Sequence, residues 1–488
     1  MVGDRFHSKI RQDIKMTKLK ETVSNVDTAW LQMDRPVNLM MISAFMAFEG
    51  PVNYERLITV VERRLLSFDR FRQRIIPPRM PFGNYTWELD PHFDIRAHVH
   101  RIALPAPGNK AALQDLMSDI TSTPLDRSRP LWQFHVVEGY ENGWVLAGRL
   151  HHSIADGIAL MRVLLSLTDL SADSPLPPLQ TPDSPPAGRR RGFIRTLTSP
   201  ATSLARTTVN VADTVLHQSL ETFRHPGRLI DFAKVGADNA ATLAKMALRF
   251  PDPHTLYKGE LGITKRTAWS DPIPLSEVKA TGRALGGTVN DVLMTAVTGA
   301  LRRYLADQNQ PVDGLNIRAL VPVNLRALDA PLELGNRFGL IFPTLPIGTP
   351  DLHKRFVAMR RHMTDIKNSP EAVVAYGVLY ALGMTPVDIE GVFLDFFGSK
   401  SSLVLTNVPG PQFQLYLAGS PMREIMAWVP QSAGLGMGVS ILSYNGGVMI
   451  GITTDAALVP DPEQIVENAI IEFEALRQLA DNVKGATD

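Results

Sequence analysis

The seven residues His151-His152-Ser153-Ile154-Ala155-Asp156-Gly157 hold the densest set of groups able to move a proton in this chain. They fall where a strand-like pattern gives way to a helical one, and loops held by rigid elements are where chemistry is commonly carried out. An imidazole titrating near neutrality can take a proton from a hydroxyl at pH 7, whereas lysine and carboxylates need a large shift to do so. Neighbouring residues at a strand end point to opposite faces, so one histidine enters a given cleft while the other packs inside. His151 and His152 therefore have different jobs. Asp156 is placed either to cap the next helix or to bind an arginine, and Gly157 is expected to let the backbone turn and a ligand approach closely. The competing reading is a pair of satisfied core histidines or an exposed pair. Adjacent histidines without a partner cluster do not form a metal coordination set. His98 and His100, two apart on a strand pattern, read as a solvated strand face.

Other chemistries lose their signatures. The chain has no cysteine, which removes thiol nucleophiles, disulfides and thiolate metal sites and fits a reducing compartment. It also lacks a Gly-x-Ser-x-Gly elbow, a Walker loop, a His-Glu-x-x-His pair and a Gly-x-Gly-x-x-Gly fingerprint, so a covalent serine route, P-loop chemistry, zincins and dinucleotide binding have no support. With 50 basic and 49 acidic side chains the formal charge is +1, and no global field recruits nucleic acid.

The 488 residues, 44% hydrophobic and 20% charged, suit two or three globular domains with a large core. No apolar stretch reaches the ~18 residues of a membrane span. The first twenty residues carry six basic and two acidic side chains but no apolar signal region follows, so cytosolic synthesis is expected.

The elements that must position the histidines follow from periodicity. Trp30 to Glu49 reads as an apolar segment ending in a strand, and a helix starts at Asn53. Another helix spans about Lys110 to Thr121. Leu131 to Glu138 and Trp144 to Leu150 flank Asn142-Gly143, a hairpin signal. Ile158 to Leu170 then forms a buried helix. Further on, a helix over Leu275 to Leu285 is expected to be capped by Ser276, and a stronger one runs from Thr288 to about Asp307. Strands are expected at Ile317–Pro322, Leu340–Leu345, Ser402–Thr406, Ile425–Val429, Gly438–Ser443 and Val448–Thr453, with helices at 350–367 and 371–384. Asp461, Pro462 and Gln464 announce a last helix. The whole reads as α/β with mixed sheets. Six prolines between Pro175 and Pro186, followed by Arg189, Arg190 and Arg191, mark a linker. This divides the chain into residues 1–180 with the His motif, a linker and helical crossover arm at 181–260, and residues 261–488.

His-His-x-x-x-Asp-Gly after a hairpin strand, with Pro130-Leu131-Trp132 upstream, resembles the bacterial bifunctional wax ester synthase/diacylglycerol acyltransferase family of the CoA-dependent acyltransferase superfamily. The resemblance extends in order through Asn290-Asp291, Pro322-Val323-Asn324-Leu325-Arg326, Gly335-Asn336 and Thr406-Asn407-Val408-Pro409-Gly410-Pro411, and covers roughly residues 25 to 480. It departs at Asn38-Leu39-Met40-Met41-Ile42-Ser43, a segment that would help shape an acyl or acceptor pocket. What the resemblance implies is two chloramphenicol-acetyltransferase-like subdomains meeting at a tunnel. Acyl-CoA is then a substrate, no cofactor or metal is needed, and the acceptor is diacylglycerol or a long-chain fatty alcohol. His152 would be the general base of a direct transfer, with His151, Asp156 and Gly157 in the same motif. Asn290, then Asn407, would be oxyanion donors, and Arg326 an ionic partner for Asp156. Pro130, Leu131, Trp132, Asp291, Asn407, Pro409 and Gly410 would contact substrate. A cytoplasmic protein touching the membrane face or lipid droplets peripherally is implied, with Arg189 to Arg195 and the basic amino terminus as the contact. Two alternatives are a condensation-type enzyme fed by a carrier-protein thioester, disfavoured by the missing carrier domains, and a non-catalytic lipid-droplet-binding protein.

Overall fold

The computed structural model describes residues 20–80, 83–176, 250–324, 334–336, 338–367, 398–431 and 434–485. The basic amino-terminal lead, the Arg189–Arg195 cluster, the arm at 200–249, Arg326 and the helix expected at 371–384 lie outside the described residues.

In chain order the first half gives β1 (Lys20–Thr22), α1 (Asn25–Met33), β2 (Met41–Glu49), α2 (Tyr54–Val60), β3 (Gln73–Ile76), β4 (Thr86–Leu89), β5 (Val99–Ala103), α3 (Lys110–Ser122), β6 (Trp132–Tyr140), β7 (Gly143–His151) and α4 (Gly157–Ser166). The second gives β8 (Lys265–Trp269), β9 (Ile273–Pro274), α5 (Leu275–Ala284), α6 (Val289–Asp307), β10 (Ile317–Asn324), β11 (Phe338–Ile341), β12 (Thr344–Leu345), α7 (Leu352–Lys367), β13 (Leu403–Pro409), β14 (Tyr416–Leu417), β15 (Ser420–Trp428), β16 (Met437–Tyr444), β17 (Gly447–Asp455) and α8 (Pro462–Gly485).

Most elements stand where the periodicity puts them, and three local readings need correction. Trp30 does not belong to an extended segment. Ser24 accepts the Asp27 amide at 3.1 Å, and Val26, Ala29, Trp30 and Met33 recur at helical spacing on a buried face, so α1 forms before β2. Ser276 is not a cap, because Pro274 occupies the N-cap position of α5 without a side-chain bond. The chain arrives there from β9, which pairs with β17. In the β6–β7 hairpin the tight residues are Glu141, at φ 49°, and Asn142 rather than Asn142-Gly143. Gly143 is already in the strand, where an added Cβ would sit 1.8 Å from the Phe48 carbonyl oxygen.

Two mixed sheets carry the fold among the described residues. The first has the order β14-β15-β2-β7-β6-β5, and the second runs β11-β10-β13-β16-β17-β8 with β12 and β9 attached to β10 and β17. A small sheet, β1-β4-β3, stands apart. Strands β14 and β15, late in the chain, thus complete the sheet begun by β2. The cores follow the same pattern: Leu417, Met422, Ile425, Met426 and Trp428 are buried with Phe45, Leu146 and Trp132 of the first half. The second sheet covers α6 and α8 through Leu403, Leu405, Val439 and Ile450. A third, smaller core joins Val26, Trp30 and Met33 of α1 to Leu320, Phe338, Leu340 and Val404 of the second sheet. Among the described residues no helix is long and apolar enough to cross a membrane.

Candidate active site

The two histidines sit at the point where β7 ends against β2 and the small third core. His151 is the last residue of β7, paired across the sheet with Met41, and its amide donates to the Leu131 carbonyl at 3.0 Å. One of its ring nitrogens is engaged directly. The Ser153 amide, which can only donate, reaches Nδ1 at 3.1 Å, with the Ser153 hydroxyl at 2.8 Å. Nδ1 is therefore the acceptor and the ring proton lies on Nε2, which faces Asp34 Oδ2 at 3.6 Å. Asp34 ends α1, accepts the Met40 amide at 2.8 Å and binds Arg127 at 2.8 Å. Burial works against its charge, but His151, Arg127 and the Met40 amide outweigh it and hold its carboxyl at about 2. His151 thus ties α1, β2 and β7 together.

His152 turns the other way. Its amide donates to the Met40 carbonyl at 2.8 Å. The ring stacks on Trp30 with centroids 4.1 Å apart and meets the edge of Phe338 at 5.8 Å. It is 5% exposed, and Nδ1 is buried without a hydrogen-bond partner. Burial, with a smaller contribution from His151, pushes its pKa down to about 4, while Asp156 pulls the other way. At neutral pH the ring is uncharged and able to accept a proton.

The rest of the motif leads into α4. Asp156 caps α4, its Oδ1 accepting the Ala159 amide at 2.9 Å. Its own amide faces the Gly335 carbonyl at 3.5 Å, and Ala155 bridges to Gly335. Gly157 does not need the left-handed backbone that a turn would ask of it: it is the first residue of α4 without a positive φ, and a Cβ there would meet Val429 and Ile42 at an ordinary 3.7–3.8 Å.

The structure places the remaining expected site residues as follows. Leu131 and Trp132 are 1% exposed. Trp132 stacks on His98 at 4.6 Å, packs its edges against Phe71 and Phe134, and donates Nε1 to the Phe71 carbonyl. Leu131 and Trp132 are thus packed beneath β7. His98 is likewise buried at 3%, its Nδ1 on the Trp132 carbonyl at 2.8 Å, which corrects the solvated-face reading. Asp291 closes a capping box, its Oδ2 2.8 Å from both the amide and hydroxyl of Thr288, so its carboxylate serves the helix. Gly410 is required by contact: its amide donates to Ser443 O, and a Cβ would lie 2.3 Å from that oxygen. It ends β13 just after Pro409. Asn290 and Asn407 do meet, Nδ2 of Asn407 donating to Oδ1 of Asn290 at 2.7 Å. By strand alternation Asn407 shares the face of Leu403 and Leu405, toward α6, while Val404 faces the Trp30 core. The structure joins these amides to each other and not to His152.

Four residues around the histidines escaped the sequence reading: Trp30, Asp34, Asp27 and Phe338. Asn336 was noted only as part of a motif. Its Nδ2 lies 2.8 Å from the His152 carbonyl and 2.6 Å from Asp27 Oδ1. Burial outweighs that bond and drives the Asp27 carboxyl up to about 6. The available signal was an acid between Val26 and Ala29 on the apolar face of a short helix. On the face of β2 carrying Met41 and Ser43, a small cavity of about 20 Å³, partly open to solvent, is lined also by Asn38, Lys265, Gln431 and Thr453. Asn38 Oδ1, Ser43 Oγ, Gln431 Oε1 and Thr453 Oγ1 are buried without a partner.

Residues 23–293 match the wax ester synthase/diacylglycerol acyltransferase catalytic domain, and residues 334–477 match the C-terminal domain of the same family. The chain is 29% identical over 468 residues to a probable diacylglycerol O-acyltransferase of Mycobacterium tuberculosis, covering 93% of this chain and 96% of that one. A putative diacylglycerol O-acyltransferase of Mycobacterium bovis is 27% identical over 466 residues, 93% of this chain and 98% of the other. Among solved structures, the wax ester synthase/diacylglycerol acyltransferase of Marinobacter aquaeolei VT8 superposes with a TM-score of 0.67 at 21% identity, covering 94% of this chain and all of that one. The starter condensation domain of rhizomide synthetase superposes at 0.56 and 14% identity, over 96% of each chain. Both structures share the fold of this chain. The matches of both domains in order, over a core with a buried neutral histidine at the end of β7, make this chain a member of the wax ester synthase/diacylglycerol acyltransferase family, an acyltransferase.

Proposed function

We propose that the protein transfers a long-chain acyl group from acyl-CoA to the hydroxyl of diacylglycerol or of a fatty alcohol, with His152 as the general base. The hydroxyl oxygen attacks the thioester carbonyl as the ring takes its proton. The tetrahedral intermediate collapses, the C–S bond breaks, and the thiolate leaves with a proton as CoA, leaving an ester. No acyl-enzyme forms. The observation that carries this reading is the different setting of the two rings: His151 Nδ1 is taken by Ser153 and its Nε2 faces Asp34 at 3.6 Å, while the His152 ring lies buried against Trp30 and Phe338 in the family's motif. A positioned base contributes about 10²- to 10⁴-fold, and holding both substrates together supplies a comparable or larger share.

A substrate passage between the two sheets would open from the small cavity beside Met41. Its unpartnered amide and hydroxyl oxygens suit a polar part of a substrate better than an acyl chain, and the segment 38–43, where the chain departs from the family pattern, forms one wall. Peripheral contact with an anionic lipid surface through Arg189–Arg195 and the basic amino terminus belongs to the same proposal, at about 1 kcal/mol per basic residue near the surface. Salt-sensitive liposome flotation that survives neutralising Arg189, Arg190 and Arg191 would remove it.

The deciding experiment incubates purified protein with palmitoyl-CoA and either dioleoylglycerol or hexadecanol, following free CoA and lipid product. The expected result is ester formation that His152→Ala reduces by at least about 10²-fold. Undiminished product with His152→Ala removes the proposed base. Transfer only from a carrier-protein thioester points to condensation-type chemistry, and lipid binding without transfer to a coat protein.

A further inference from the structure

We propose that Asn336 positions His152 for proton transfer, holding its backbone carbonyl and offering its amide oxygen to ring Nδ1 so that Nε2 keeps the lone pair that receives the proton. The inference rests on the reading of His152 as the base and adds how that base is held.

The amide's orientation follows from its partners. Nδ2 faces Asp27 Oδ1 at 2.6 Å and the His152 carbonyl oxygen at 2.8 Å. A carbonyl only accepts, so the nitrogen must face it, and a flipped amide would set oxygen against oxygen. All three residues are buried, at 7% exposure for Asn336, 6% for Asp27 and 5% for His152. This arrangement leaves two buried atoms without partners beside one carbonyl: Asn336 Oδ1 and His152 Nδ1. One is an acceptor, and the other becomes a donor in one tautomer of the neutral ring. Leaving both unsatisfied is costly, and pairing them satisfies both. The tautomer this selects has the proton on Nδ1, opposite to that of His151.

The surroundings limit the ring to small adjustments. Trp30 covers one face at 4.1 Å and Phe338 meets it edge-on. Next to Asn336, the Gly335 carbonyl faces the Asp156 amide at the far end of the motif. Residues 335–336 therefore touch both ends of the loop, and Asp27 anchors Asn336 from α1. The base is held by three segments distant in sequence, one of them in the second half of the chain. Asn336 acts through His152 and is a positioning residue.

The test uses the full-length protein with histidine ¹⁵N labels, the His152 signals being assigned from their loss in His152→Ala. In the wild type the neutral His152 ring is expected to carry its proton on Nδ1. Asn336→Ala is expected to bring in the Nε2-protonated form and to lower kcat by about 10- to 100-fold, with KM for palmitoyl-CoA changed less than about threefold. Asp27→Asn keeps an acceptor for Nδ2 and is expected to lose less than Asp27→Ala. A wild-type ring protonated on Nε2 overturns the proposal without any variant, and so does a folded Asn336→Ala protein with unchanged ¹⁵N pattern and kcat. The ¹⁵N readout needs no turnover, so a wild type that transfers no acyl group yet shows Nδ1–H sinks the acyltransfer reading while bearing out the tautomer assigned to the ring.

Discussion

At the scale of single residues the central fact is a histidine made neutral by burial. With its pKa pushed from 6.5 to about 4, His152 is ready to accept a proton throughout the neutral range and loses that ability only as pH falls toward 4. The expected kcat/KM profile is flat from about pH 6 to 8 with its His152 limb near pH 4 to 5. A limb near 6.5 abolished by no other substitution would place the base elsewhere. Asp27, at about 6, touches the same assembly, so the profile is also read in Asp27→Asn, where any limb due to that carboxyl disappears. Stability follows the same sign. Between pH 6.5 and 4 the unfolded chain binds a proton at this position and the folded chain does not, so the contribution present above 6.5 is lost as pH falls through 4. His135, also held down to about 4 by burial and then by Arg149 and His100, adds to that loss. Gly157 supplies a second prediction. A Cβ there finds only ordinary contacts, so Gly157→Ala is expected to raise stability by about 0.4–1 kcal/mol by restricting the unfolded chain. Activity should stay near wild type in the same assay. A stabilised but inactive variant would instead show that substrate comes up against this backbone.

Helices and strands carry the next set of expectations, and they show what a linear reading can see. The capping signals of α6 and α8 and the hairpin of β6 and β7 were legible because all their determinants lie within a few residues. Thr288 and Asp291 satisfy each other's backbone and side chain, so Thr288→Ala should cost about 1 kcal/mol and the double variant with Asp291→Ala less than the sum of the two. Additive losses in thermal unfolding would mean that Asp291 has a further role. Short α1 was missed: its helical spacing is only two turns long and merges with the apolar run of β2. With it went Trp30, Asp34 and Asp27, whose importance comes from partners far off in sequence, Asn336 and His152 being 184 residues apart. The pairing of α6 with β13 through Asn290 and Asn407 is a tertiary fact of the same kind. Because these amides bond each other on the α6 side of the sheet, Asn290→Ala is expected to lower kcat less than tenfold, against the ~10²–10³ that losing an oxyanion donor costs. A larger loss at unchanged stability would return Asn290 to the reaction.

For the whole molecule, the decisive feature is that the sheet bearing the histidines is finished by strands from the far end of the chain. The mixed α/β character and the presence of a strand near 425–429 could be read locally, but which sheet that strand joins could not, since its alternation fits either. In the structure β15 pairs with β2 from Met422↔Phe48 to Trp428↔Ser43, alongside the β2–β7 ladder that ends at Met41↔His151. Leu417, Met422, Ile425, Met426 and Trp428 are each at most 1% exposed in the core they share with β2, β6 and β7. At about 1.5–3 kcal/mol for each large apolar side chain buried, they contribute on the order of 10 kcal/mol, comparable to the ~5–15 kcal/mol net stability of a typical domain. A fragment of residues 1–260 therefore lacks what its own sheet requires. It exposes the edge of β2 with that apolar surface, a template for aggregation. The expected outcome is an insoluble or molten fragment without activity, and recovery of a soluble acyltransferase when residues 261–488 are co-expressed with it. Cooperative unfolding of residues 1–260 alone, with native-like near-ultraviolet circular dichroism, would show that β14 and β15 are accessories. Substituting Asp at Ile425 in the intact chain puts a charge into the same interface and should lower both stability and the yield of folded protein, while the equivalent change at half-exposed Ala427 should be far milder. If the two changes proved equal, burial against β2 would not be what holds the first sheet together.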